Sequence, residues 1–247
     1  MLLEVCATSL QSAINAQTGG ARRVELCDNL YEGGTTPGAG TILLARGKLN
    51  IKLHVLIRPR GSDFVYSDLE MEIIRKDVEF CKMAGCDGVV IGFLQANGTI
   101  DFARTKEITD LARPMSVTFH RAFDMTRDPF ESLKVLFEAG VDRLLTSGQQ
   151  NKAPLGVNLI HELVKKAGNR LVVMPGSGVS EDNIRWMHEQ TGAVEFHLTG
   201  QKPISSVMEY RKEGISLGGL SQIPEYEYSE TSVERIRNIV EILNSLN

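Results

Sequence analysis

The stretch LLEVCATSLQSAINAQTGGARRVELC, residues 2–27, decides the fold. It opens on an apolar run, Leu2–Cys6, passes through a segment of helical period, Thr8–Thr18, and breaks at Gly19-Gly20 before a second apolar run, Arg23–Cys27. Thr8 or Ser9 is placed to cap the helix, because a hydroxyl there accepts from a backbone N–H left unpaired in the first turn. Two strands joined through a helix favour a parallel pair, since such a pair needs a crossover of about a dozen residues or more.

The same alternation continues along the chain. Strand-like runs recur at Lys52–Arg58, Gly88–Gly92, Ser116–His120, Arg143–Thr146, Leu171–Met174 and Val194–Leu198. Helical segments lie between them. Ser67–Ala84 stops at Gly85, and Asp128–Ala139 has Pro129 in its first turn and Gly140 just past its end. Ser180–Gln190 starts on Ser180 with Asn183 three residues on, and Thr231–Leu246 is the last helix. Eight strands each followed by a helix predict a closed parallel (β/α)8 barrel, a TIM barrel, as one domain over 1–247. The alternative, an open doubly wound sheet, usually carries a Gly-rich loop after its first strand, and Cys6-Ala7-Thr8-Ser9 offers none. One irregular segment, about 201–228, precedes the C-terminal helix and contains Gly214, Gly218, Gly219 and the run Pro224–Tyr228. A connection this long is expected to be a functional cover, an interface or disordered. Its Val207, Met208, Tyr210, Ile223 and Tyr226 predict a homodimer.

Composition narrows the partners. A net charge of -4 with no basic run argues against nucleic acid. No apolar stretch is long enough to span a bilayer, so no membrane partner is expected. Glu4 comes too early for a signal peptide, so a cytoplasmic protein is expected. The four cysteines, Cys6, Cys27, Cys81 and Cys86, are then reduced thiols.

Side chains of a strand alternate faces, and in a barrel one set packs on the helices while the other fills the interior. With the apolar set outward, Glu4, Cys6, Glu25, Cys27, His54, Leu56, Arg58, Thr118, His120, Glu195, His197 and Thr199 point inward. Barrel cores are usually layered Val, Ile and Leu, so this polar interior needs a reason. A structural ion network, Glu4 or Glu25 with Arg58, is one. A functional site is the other, because these residues lie toward the C-terminal strand ends, where barrel active sites form. On that reading Glu25, Arg58, His120, Asp124 and His197 are candidate acid–base and electrostatic groups.

Cys6 and Cys27 end neighbouring strands with the same parity. Strands about 4.8 Å apart let two such thiols share an ion, and soft thiolates suit Cu(I). Two small buried hydrophobes is the competing reading. Cys81, on a helix, and Cys86, at the N-terminal end of a strand, are expected to be packing residues. Gly176, Ser177, Gly178, Thr199 and Gly200 follow strands seven and eight, where barrels often bind phosphate on backbone N–H groups. Tight turns explain the same glycines.

These motifs carry a resemblance. Glu4-Val5-Cys6, the run from Arg23 to Pro37 (RVELCDNLYEGGTTP), Ile57–Gly61 (IRPRG), Phe119–Asp124 (FHRAFD), Leu145–Gly148 (LTSG), Gly176–Val179 (GSGV) and His197–Gly200 (HLTG) resemble, in order, the CutC family. The resemblance covers nearly the whole chain. It implies a TIM barrel, a cytoplasmic location and a role in copper homeostasis, and it favours a metal at Cys6 and Cys27. The residues leave a second function open: an enzyme on a small, phosphate-bearing metabolite. The expected partner is thus a metal ion or a small molecule.

Overall fold

Local chemistry sets the helix boundaries. In the computed structural model, which describes residues 1–218 and 223–246, Ser67 and Glu70 form a reciprocal capping box at the start of Asp68–Met83. Asp128 accepts from the N–H groups of Phe130 and Glu131, and Gly140, at φ +77°, ends the helix Pro129–Ala139 where a side chain would be strained. Ser9, one of the two expected caps, accepts from Ser12 N–H.

The elements, in chain order, are β1 (Leu2–Ala7), α1 (Leu10–Thr18), β2 (Arg23–Leu26), α2 (Ala39–Lys48), β3 (Lys52–Leu56), α3 (Asp68–Met83), β4 (Gly88–Ile91), α4 (Phe102–Ala112), β5 (Ser116–Phe119), α5 (Pro129–Ala139), β6 (Arg143–Thr146), α6 (Val157–Ala167), β7 (Val172–Pro175), α7 (Ile184–Thr191), β8 (Glu195–Leu198), β9 (Gln201–Ser205), β10 (Glu227–Thr231) and α8 (Val233–Asn244). The first eight strands form one parallel sheet in the order β7-β6-β5-β4-β3-β2-β1-β8. The expected contact between the first and last of them is present, with Leu2 opposite Glu195 and Val5 opposite Leu198. Between β7 and β8 the seam is a single parallel bridge, Gly176 to His197. The chain is a single (β/α)8 barrel. Its apolar core lies between strands and helices: Val5, Val24, Leu53, Val89, Val117, Leu144 and Phe196 face outward onto the helices. No described helix is long and apolar enough to cross a membrane.

Two expectations are corrected. The helix expected from Ser180 starts at Ile184, because Asn183 Oδ1 takes the Ser180 N–H at 3.0 Å and holds 180–183 as a turn. The segment expected to be irregular is tied at its ends into an antiparallel ribbon, with Gln201 opposite Thr231 and Ser205 opposite Glu227. Gly219 lies outside the described residues.

Candidate functional site

The barrel interior is held by charge. Arg23 of β2 reaches across it, with Nε 2.5 Å from Glu4 Oε2 and Nη2 bonded to Glu195 Oε2. Arg143 of β6 holds the same Glu195 oxygen at 2.8 Å and donates to Ser116 Oγ at 2.6 Å. The other oxygen of Glu4 is 2.8 Å from His197 Nδ1. Arg23 is 2% exposed and Glu4 is fully buried, where either charge alone is very costly, and each is paired. Arg58 is not the cation of this network, contrary to one expectation from sequence. Arg23 and Arg143 fill that place, and sequence reasoning missed both because each is the first residue of its strand and reads as solvent-facing. The signal was there: Arg23 shares the parity of Glu25 and Cys27.

The pairs set the protonation. Burial pushes the Glu4 carboxyl up, but Arg23 and His197 outweigh it and hold the group far below its usual range. For His197 burial disfavours the charge, yet Glu25 and Glu4 win and raise it. His54 lies 3.7 Å from Glu4 without a hydrogen bond at Nδ1, and burial takes it down to about 4. Its ring fits because β4 has no side chain opposite: a Cβ on Gly88 would stand 2.5 Å from His54 Nε2.

Above this layer are the thiols. The register partner of Cys6 is Glu25, so Cys27 lies one inward residue farther along β2. The two sulfurs are nevertheless 3.4 Å apart. The donor atoms of Cys6, Glu25 and His197 lie within 4.8 Å of one another, and all three residues are buried. The hydrogen bond with Cys27, then burial, raises the Cys6 thiol well above its usual range. Burial, then the Glu4 charge, raises Glu25 against the pull of His197. These four residues line a cavity of about 600 Å³ at the C-terminal mouth of the barrel. Cys81 and Cys86 are buried elsewhere, against the helical layer.

His120 lines another part of the same cavity. Its Nδ1 accepts from Ala122 N–H at 3.1 Å, so its proton sits on Nε2, which has no partner. Burial and the Arg58 charge bring it down to about 3, leaving a neutral imidazole. Again a glycine makes room, since a Cβ on Gly92 would meet His120 Cε1 at 2.3 Å. Arg58 donates to the carbonyls of Glu32 and Gly34, both at 2.7 Å, and of Ser62 at 2.8 Å. It thereby pins the Gly33–Pro37 loop. Asp124 accepts from Thr146 Oγ1, Ser147 N and Oγ, Gln149 N and Arg121 Nε. These bonds hold the loop after β6.

In the loops after β7 and β8, Ser177, Gly178 and Thr199 face the cavity. The Ser177 hydroxyl is taken by Asn151 O at 2.9 Å. Gly176 and Gly200 serve packing: a Cβ would meet Leu145 Cδ1 at 2.4 Å in one and Ile236 Cδ1 at 2.5 Å in the other. Among the described residues, the four non-glycine ones with positive φ, Asn29, Ser62, Gln149 and Ser177, all sit in loops that follow strands at this mouth. Strained backbone of this kind collects at functional sites.

The sequence profile of the CutC family matches residues 1–202. A family protein CutC from Chromobacterium violaceum is 51% identical over 243 residues, covering 98% of each chain. A protein of Homo sapiens named copper homeostasis protein cutC homolog is 41% identical over 245 residues, covering 99% of this chain and 90% of its own. A solved CutC structure from Streptococcus agalactiae superposes with a TM-score of 0.77 at 35% identity, covering 81% of this chain and 98% of the other. With this match and these identities over nearly its whole length, the chain belongs to the CutC family.

Proposed function

We propose that this chain handles Cu(I) through Cys6 and Cys27, in a reducing cytoplasm. The observation that carries the reading is the 3.4 Å separation of two buried sulfurs. Paired soft thiolates suit Cu(I), and His197 and Glu25 stand beside Cys6 as further donors. The naming of relatives as copper homeostasis proteins supports the same role. Binding must expel thiol protons, so affinity rises with pH. The test is anaerobic titration of reduced protein with Cu(I) against a chromogenic Cu(I) chelator. Cys6→Ser and Cys27→Ser should each weaken binding at least about tenfold, a loss of about 1.4 kcal/mol. Equal binding by Cys27→Ser removes that residue from the site.

A second reading rests on size. A cavity of about 600 Å³ falls within the roughly 300–1,000 Å³ of small-molecule sites. On this reading the barrel acts on a small metabolite, with Glu25 and His197 as the proton-transfer pair and the wall at Ser177, Gly178 and Thr199 receiving a phosphate. Binding of inorganic phosphate that Gly178→Ala abolishes would support it, and no binding would remove the phosphate. We also propose that two copies associate through Val207, Met208 and Tyr210, exposed between β9 and β10. A monomer by light scattering contradicts this.

A further inference from the structure

The charges inside the barrel balance except at one wall. Arg23, Arg143 and His197 meet Glu4, Glu195 and Glu25. Arg58, only 4% exposed, forms no ion pair with any described carboxylate. Its three bonded acceptors are neutral carbonyls, and its Nε has no partner. A buried guanidinium without an anion is an expensive arrangement that an arriving anion relieves. Tyr66 does not supply that anion: burial holds its phenol up to about 12, against the pull of the Arg58 charge.

Beside Arg58 stands the second unmatched donor, His120 Nε2–H. Both residues line the cavity, and both pack on the half-buried ring of Phe64. The ring centroid is 5.0 Å from that of His120 and 5.1 Å from Arg58 Cζ. Phe64 follows Ser62, whose φ of +68° is strained for a non-glycine residue. The ring thus contacts both donor residues, with its π-face partly offsetting the cation.

We propose that Arg58 and His120 form the head-group site for a small organic carboxylate, whose carbon body lies in the cavity and whose arrival displaces the Phe64 ring. Three of the five N–H donors of Arg58 are spent on carbonyls, so the wall offers the two that remain and His120 Nε2–H. One cation beside a neutral imidazole matches the single charge of a carboxylate, whereas a phosphate group brings a charge of about −1.5 to −2 to that one cation. Leu30, Leu56 and Leu145, which also line the cavity, suit an apolar body. This deepens the small-molecule reading and is independent of the copper one.

The experiment uses the metal-free, reduced full chain with ¹⁵N-labelled histidine. It is titrated with acetate, benzoate and phenylpyruvate, with benzamide as the uncharged control and inorganic phosphate as the tetrahedral one. His120→Phe identifies the His120 resonance by its loss. We expect at least one carboxylate to shift that Nε2 resonance and to bind at least tenfold more tightly than benzamide. Arg58→Met and His120→Phe should each weaken binding at least tenfold, and Phe64→Ala should strengthen it. Because Arg58 also pins a loop, His120→Phe carries the result if Arg58→Met does not fold. The proposal is overturned if no carboxylate moves His120, or if benzamide binds as tightly as benzoate. Binding of phosphate alone overturns it too, but leaves the small-molecule reading standing.

Discussion

Replacing Arg23 by methionine removes one cation from the barrel interior while keeping an unbranched chain of similar length. Arg23 holds Glu4 and Glu195, and both carboxylates keep a second partner: His197 on Glu4 and Arg143 on Glu195. Breaking a buried pair costs about 3–5 kcal/mol. The surviving partners place the expected loss at the lower end, about 3 kcal/mol. At roughly 2–4 °C per kcal/mol for a chain of this size, Tm should fall by about 6–12 °C. Thermal and urea unfolding followed by circular dichroism measure it. The double variant Glu4→Gln/Arg23→Met should be less damaging than the sum of the singles by at least about 1 kcal/mol, because the glutamine no longer needs the cation. A single-variant loss under about 1 kcal/mol, or strict additivity, refutes the assignment of Arg23 as the central counter-ion.

Stability should fall on both sides of neutrality. Glu4 is held below its ordinary 4.5, so its contribution is present above that value and is lost as pH falls through the folded one. His197 is raised above 6.5, so its contribution is complete below 6.5 and is lost as pH rises through the folded value. Urea midpoints across pH test both limbs, and Glu4→Gln should flatten the acid one. Gly92→Ala should cost about 1–3 kcal/mol by overpacking His120, measured by urea unfolding. Ser67→Ala should lower stability by about 0.5–2 kcal/mol through loss of the α3 cap, with Cu(I) binding unchanged.

Strand parity made much of the interior legible. Glu4, Cys6, Glu25, Cys27, His54, Arg58, His120 and His197 are all buried, as period-two alternation required. What parity could not supply was pairing. The partner of Glu4 was sought in Arg58, because register across β1, β2 and β8 decides who meets whom, and register is not written in any one strand. Nor could it show that Gly88 and Gly92 are the sites that admit two imidazoles, since a glycine in an apolar run carries no sign of what packs opposite. The ribbon of β9 and β10 escaped notice because its residues are mostly polar and exposed, with no apolar face to mark a strand. Asp124 was singled out by type, and the ring of donors around it, most of them from the loop after β6, is a matter of pairing that its own motif does not carry.

The N-terminal strand lies between β2 and β8, and this sets an order of events during synthesis. The chain is made from its N-terminus, so Cys6 and Cys27 emerge early and close together. Glu4 waits for His197, which is 193 positions away, and Arg23 waits for Glu195, which is 172 away. A nascent chain that stops short of β8 holds a carboxylate and a guanidinium whose full sets of partners do not yet exist. Sealing the interior at that stage would strand charge, so a partial barrel has no stable closed form. The cavity that holds the thiols therefore gains its His197 wall only when β8 has been made.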